Sequence, residues 1–273
     1  MASPCIGLFD SGIGGLSILR EVRRLLPAED LVYVADQAHV PYGSRPKEEV
    51  RSFSEAITRF LIDRQAKLVV VACNTASAVA LHPLRRTFPQ VPFVGMEPAV
   101  KPAAQATRSG VVGVLATPAT FQGELFASVV ERFAAGVRVV EQTAPGLVEQ
   151  IEAGDLDGPV TRGIVDRALR PLLEQGADAI VLGCTHYPFV IPLIQELAGP
   201  NVQVIDPSPA IARQTQRLLA EKRIAADGVE PGRVVLYTSG DTESLQAWSA
   251  RAPEFAGEIE RAQWIAGTLA TVA

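Results

Sequence analysis

Two stretches of this chain carry a run of apolar residues into a cysteine, and they limit what it can fold into more than any other feature. In KLVVVACNTAS, residues 68–71 read as a strand buried on both faces, and Ala72-Cys73-Asn74-Thr75 then turns the chain into the helix ASAVALHPLRRTF. In DAIVLGCTHYPF the pattern recurs, with residues 179–182 as the strand and Gly183-Cys184-Thr185-His186 as the turn into another helix. A cysteine at such a junction meets the unpaired N–H groups and positive end of a helix, which favour a thiolate and attract an anionic ligand. A free cysteine often does no more than fill a core. Here two of the three cysteines close matching strands, and each is followed by Thr75 or Thr185 with a second polar residue, Asn74 or His186. A shared site explains that pairing better, because ligands of open α/β sheets bind at the carboxyl ends of strands.

Composition narrows the class. A length of 273 residues allows one large domain or two ordinary ones, and 48% hydrophobic content supports a substantial core. A net charge of −5 and a pI near 5.4, with no basic patch, argue against a nucleic-acid surface. An odd cysteine count without a CxxC pair suggests neither a disulfide framework nor a zinc site, and free thiols fit a reducing compartment. MASPCIGLFDSG has no charged leader and its apolar run stops at Asp10, so neither a signal peptide nor a membrane span is expected, and the expected location is cytoplasmic.

In chain order, residues 6–10 form a short strand ending on Asp10, SGIGG is a turn, and LSILREVRRLL is an amphipathic helix stopped by Pro27. The glycines do not make a dinucleotide fingerprint, because Ser17 stands where glycine or alanine is needed, and no Walker lysine follows. Residues 31–36 are a second strand, QAHVPYGSRP a loop carrying Tyr42 and Gly43, residues 47–64 a helix and residues 92–96 a fourth strand. A second unit restarts the alternation: strand 110–117, the helix ATFQGELFASVVERF, strand 137–142, the helix GLVEQIEAG with Glu149 and Glu152, a long helix to about Gln175, the Cys184 strand, a helix, and strand 202–206. Hinges are expected near Glu97-Pro98 and Asp206-Pro207. The remainder is expected to add a helix, strand 234–239 and a helical tail to the first sheet. The domains expected are 1–97 with 207–273, and 98–206. Alternation of this kind implies an α/β fold with mainly parallel sheets and right-handed crossovers.

FDSGIGGLSIL, VPYGSR, VVVACNTASAVAL, GVLATPAT, VLGCTHYPF and VIDPSPAIA span most of the chain, and together they resemble the glutamate racemases of the cofactor-independent aspartate/glutamate racemase superfamily. The resemblance implies two similar α/β domains facing each other across a cleft, the C-terminal segment completing the first. It implies glutamate as the small-molecule substrate, D-glutamate supplied for peptidoglycan, no cofactor, no metal, and a homodimer. It assigns substrate contacts to Asp10 and Ser11, Tyr42 and Gly43, Asn74 and Thr75, and Thr185 and His186. It further implies that Cys73 deprotonates D-glutamate and Cys184 L-glutamate, with Asp10 near the first cysteine and His186 and Glu152 near the second. Met96 departs from a common valine and Ala144 from a frequent cysteine, neither at these positions.

Chemistry makes a cysteine pair sensible apart from the resemblance. Inverting an amino acid at Cα needs an acid/base group on each face, and a thiol of pKa about 8.5, modestly lowered, can take either role. Of Lys47, Lys67, Lys101 and Lys222, none sits in a recognisable pyridoxal motif. Three alternatives stand beside this reading: a racemase for aspartate or another acidic amino acid, a thiol hydrolase with Cys184 as nucleophile and His186 as base, and an amino-acid-binding protein without turnover. His39 and His82 read as solvated or locally hydrogen-bonded, and Cys5 as structural.

Overall fold

The apolar runs pair with one another as parallel strands. A computed structural model describes residues 3–271, whose contacts divide into two units, one running to Met96 and resuming at Ser208, the other Glu97–Pro207. The first unit opens with β1 (Cys5–Asp10), α1 (Leu16–Leu25), β2 (Asp30–Ala35), a single 3-10 turn at Tyr42–Ser44, α2 (Lys47–Asp63), β3 (Ala66–Val71), α3 (Asn74–Thr87) and β4 (Phe93–Gly95). In the second follow α4 (Val100–Ala106), β5 (Val111–Ala116), α5 (Pro118–Phe121), α6 (Glu124–Phe133), β6 (Arg138–Gln142), α7 (Leu147–Glu152), α8 (Pro159–Glu174), β7 (Ala179–Gly183), a 3-10 turn at Tyr187–Val190, α9 (Ile191–Ala198) and β8 (Gln203–Ile205). The chain then returns to the first unit with α10 (Ser208–Lys222), β9 (Val234–Thr238), α11 (Thr242–Ser249), β10 (Glu258–Ile265) and β11 (Thr268–Thr271).

The first sheet has the order β11-β10-β9-β2-β1-β3-β4, and only its β10-β11 pair is antiparallel. Every residue of β1 is buried, as a strand covered by helices on both faces requires. The second sheet, β6-β5-β7-β8, is wholly parallel. Both sheets therefore share one arrangement: the first strand lies between the second and the third, and the fourth follows outside the third. Where successive crossovers leave in opposite directions, a crevice opens at the carboxyl ends of the first and third strands. In the first sheet that point is β1/β3, and in the second it is β5/β7. Cys73 and Cys184 each follow the third strand of their sheet.

Packing keeps these ends in register. Ala72 N donates to Phe9 O at 2.8 Å, Asp36 N to Asp10 O at 3.0 Å and Ser239 N to Ala35 O at 3.0 Å, so the chain leaves β3 and β2 beside the end of β1, and β9 beside the end of β2. In the second unit Val112, Val114, Ala116, Ala179 and Val181 meet Val100 and Ala103 of α4 and Phe126 and Val129 of α6. Gly113 lets α8 approach closely, since a Cβ there would lie 2.8 Å from Leu172 Cδ1.

Four expectations need correction. The C-terminal tail is not helical throughout: after α11 it forms the β10-β11 hairpin, which extends the first sheet through β9. ATFQGELFASVVERF is two helices, because Thr117 caps a short first one with Pro118 in its first turn, and Gly123 is extended before the second. Residues 100–106 are a helix where no element was expected. Cys184 is not followed at once by an α-helix; Pro188 and Pro192 lack the N–H that an earlier helix would use, and α9 starts only at Ile191.

Candidate active site

In the first unit Asp10, Ser11, Cys73, Asn74 and Thr75 are all buried at the carboxyl ends of β1 and β3. Asp10 Oδ2 accepts the Gly15 N–H at 2.8 Å, and Tyr33 donates its hydroxyl to Gly12 O at 2.6 Å. SGIGG thus wraps the Asp10 carboxylate: a Cβ at position 15 would come within 2.8 Å of Asp10 Cβ. Cys73 is the N-cap of α3 in extended backbone, its Sγ accepting from Ala76 N at 3.5 Å. An N–H aimed at the sulfur, together with the helix dipole, favours a thiolate there. Ser77 ties this helix to the strand edge by donating to Val71 O at 2.9 Å and accepting from Met96 N at 2.8 Å.

Asn74 stands out chemically. Its side-chain Nδ2 and Oδ1 are both buried, and neither has a hydrogen-bond partner among the described residues. A buried amide left so costs roughly 1–3 kcal/mol, a penalty that a polar ligand at this edge would remove. Tyr42 is also fully buried, with its hydroxyl donated to Asp36 Oδ2 at 2.6 Å. Burial, then the Asp36 carboxylate, then Cys73 and Asp10 nearby, all push its phenol pKa up, so it stays a neutral donor. Gly43 follows it in the same 3-10 turn.

The second unit gathers Cys184, Thr185, His186 and Glu152. Cys184 Sγ lies 3.9 Å from His186 Nδ1, and His186 Nε2 lies 2.6 Å from Glu152 Oε1. Burial works against the imidazolium, yet the Cys184 sulfur and the Glu152 carboxylate outweigh it and hold the His186 pKa well above the usual histidine range. That imidazole stands between the Cys184 sulfur and the Glu152 carboxylate, with one ring nitrogen toward each. The neighbouring Glu149 is exposed. Burial, then Cys184, then Glu149 push the Tyr187 phenol up. All the residues assigned from the sequence therefore fall into two clusters, one in each unit.

Sequence reasoning passed over Asp36, which is completely buried where β2 ends beside Asp10. Its signal was available, because LVYVAD closes on an acid as IGLFD does. Of the histidines left without a role, His39 takes the local-bond alternative, with Nδ1 2.9 Å from Asp36 Oδ2, and His82 is exposed. Cys5 is buried and burial above all pushes its thiol up to about 11, so it is unreactive near neutrality. Among the described residues no group of His, Cys, Asp and Glu is placed to hold a metal, and no helix is long and apolar enough to cross a membrane.

Comparison with known proteins yields one consistent family. The sequence profile of the Asp/Glu/hydantoin racemases matches residues 6–215. The glutamate racemase of Roseiflexus sp. (strain RS-1) is 56% identical over 239 residues, 87% of this chain and 88% of that protein. Among solved structures, a glutamate racemase isoform from Bacillus anthracis superposes with a TM-score of 0.88 at 30% identity, covering 98% of this chain and 100% of that one. The Escherichia coli glutamate racemase, solved with L-glutamate bound, superposes with a TM-score of 0.83 at 32% identity, covering 99% of this chain and 100% of that one.

Proposed function

This chain belongs to the Asp/Glu/hydantoin racemase family, and from that membership we propose that it interconverts L-glutamate and D-glutamate by two-base proton transfer at Cα between Cys73 and Cys184. The observation that carries the mechanism is the repetition of one arrangement: each sheet presents one cysteine after its third strand, with its own electrostatic support. From L-glutamate, the Cys184 thiolate takes the Cα proton and the Cys73 thiol delivers one to the opposite face. The protein is left with Cys184 as thiol and Cys73 as thiolate, and the reverse reaction restores the first state. Neither net oxidation nor a leaving group is involved.

The remaining site residues divide by charge. Asp10 is an anion for the substrate ammonium or for steering the Cys73 proton. Ser11, Asn74, Thr75 and Thr185, with the Tyr42-Gly43 turn, offer neutral donors to the two carboxylates. The unpartnered Asn74 amide supports this assignment best. His186 and Glu152 set the protonation of Cys184. The carbanion is stabilised by the ammonium group, these donors and the positive end of α3, so the reaction as proposed uses no cofactor and no metal. Supply of D-glutamate to peptidoglycan, a cytoplasmic location and a homodimer belong to the same proposal and rest on the family.

The Cys184–His186–Glu152 line also supports a second reading, a thiol hydrolase with Cys184 as nucleophile. Purified protein incubated with L-glutamate should lose the circular dichroism of the substrate until the mixture is racemic, without pyridoxal phosphate or metal and faster than with L-aspartate. Loss of the signal from aspartate alone would move the activity to another acidic amino acid. Trapping of an acyl-enzyme with ester substrates, with no loss of glutamate dichroism, would favour the hydrolase.

A further inference from the structure

Asp36 is a buried carboxylate with a partner on every side. On Oδ1 it accepts from Ser239 Oγ at 2.7 Å and Trp264 Nε1 at 2.7 Å; on Oδ2 it accepts from Tyr42 at 2.6 Å, with His39 Nδ1 at 2.9 Å. Tyr42 and His39 belong to the loop between β2 and α2, Ser239 follows β9, and Trp264 lies on β10. The same residues stack: His39 lies flat on Phe53 with centroids 3.9 Å apart, and Trp264 meets His39 edge-on at 5.0 Å. The end of β9 brackets the loop further, as Ser239 Oγ accepts from Ala38 N at 3.0 Å and Thr238 donates to Gln37 Oε1 at 2.7 Å.

We propose that Trp264 is a positioning residue for the Tyr42-Gly43 turn, acting through Asp36. The proposal rests on the reading that this turn contacts the substrate. A buried carboxylate keeps a fixed orientation only while its lone pairs are met. With the indole N–H in place, Oδ1 is held by two donors from the C-terminal part of the chain, and the carboxylate plane is set so that Oδ2 receives Tyr42. Without it Oδ1 keeps Ser239 alone, the carboxylate can turn, and the tyrosine hydroxyl loses its fixed acceptor. The hairpin that closes the first sheet thus reaches the substrate edge through one hydrogen bond.

In Trp264→Phe the ring is kept and the donor lost. KM for both enantiomers should rise about tenfold, the loss expected for one hydrogen bond to a charged group, with kcat little changed. Amide hydrogen exchange over residues 37–46 should quicken while β1 and β3 keep their protection. Ser239→Ala, which removes the other Oδ1 donor, should give the same pattern. Trp248→Phe, at the buried tryptophan of α11, should lower the melting temperature without moving KM. An unchanged KM in Trp264→Phe, or loss of stability with uniform exchange across the first unit, overturns the proposal. If the wild-type protein does not racemise glutamate, the functional reading fails on its own. The exchange pattern then still decides whether Trp264 anchors the loop.

Discussion

In the proposed mechanism His186 and Glu152 support Cys184, and a pH dependence follows from the raised pKa of His186. In Glu152→Gln the imidazolium of His186 loses its carboxylate partner, so its pKa should fall toward the usual value of about 6.5. The alkaline limb of kcat/KM for L-glutamate should move to lower pH, and a pH profile of the variant checks it. Stability follows the same sign. A histidine whose folded pKa is raised contributes stability that is complete below about pH 6.5 and is lost as pH rises through the folded value. The unfolding free-energy gap between wild type and Glu152→Gln should therefore be widest near pH 6 and narrow in alkali. Asn74→Ala tests the other cluster. Because its amide has no partner among the described residues, the substitution should leave stability unchanged or raise it, by up to roughly 1–3 kcal/mol, while raising KM more than about tenfold. A large loss of stability with unchanged KM would show that Asn74 is structural.

Elements differed in how plainly their residues announced them. The buried strands were legible because Leu68 to Val71 and Ala179 to Leu182 are unbroken apolar runs, and both are strands. The helices α1 and α8 carry an apolar face at helical spacing, and Pro159 opens the second. The C-terminal hairpin was hidden for a local reason. Its two-residue turn is Ala266-Gly267, with φ of 48° and 80°, the left-handed pair that Asn-Gly normally signals and alanine does not. Ala266→Asn should relieve that strain and stabilise the protein by roughly 0.5–1 kcal/mol, read as a rise in melting temperature. No rise would mean that the hairpin pairing, not the turn, sets the local cost. Among the site residues, Glu152 is set apart from Glu149 in the sequence only by the family resemblance, because helical spacing does not reveal its neighbour His186. Asp36 was missed because its partners, Ser239 and Trp264, lie far along the chain.

For the whole molecule, the same strand order occurs twice, and each copy carries one thiol and its own support. The proposed two-base mechanism assigns one thiol to each face of the substrate Cα. The chain passes between the units at Met96-Glu97 and at Pro207-Ser208. Saturating glutamate should slow proteolysis at residues 97–101 and 206–208, and unchanged cleavage would count against substrate-linked ordering of these connections. The central claim, one thiol for each face, is tested most directly by following the Cα–H of L- and D-glutamate by NMR in D2O with wild type, Cys73→Ala and Cys184→Ala. Wild type should exchange both enantiomers. In each variant racemisation should fall by more than the roughly 10² to 10⁴ of a positioned acid/base group, and residual proton abstraction should persist for opposite enantiomers in the two variants. Near-wild-type racemisation by both alanine variants would contradict the two-base account.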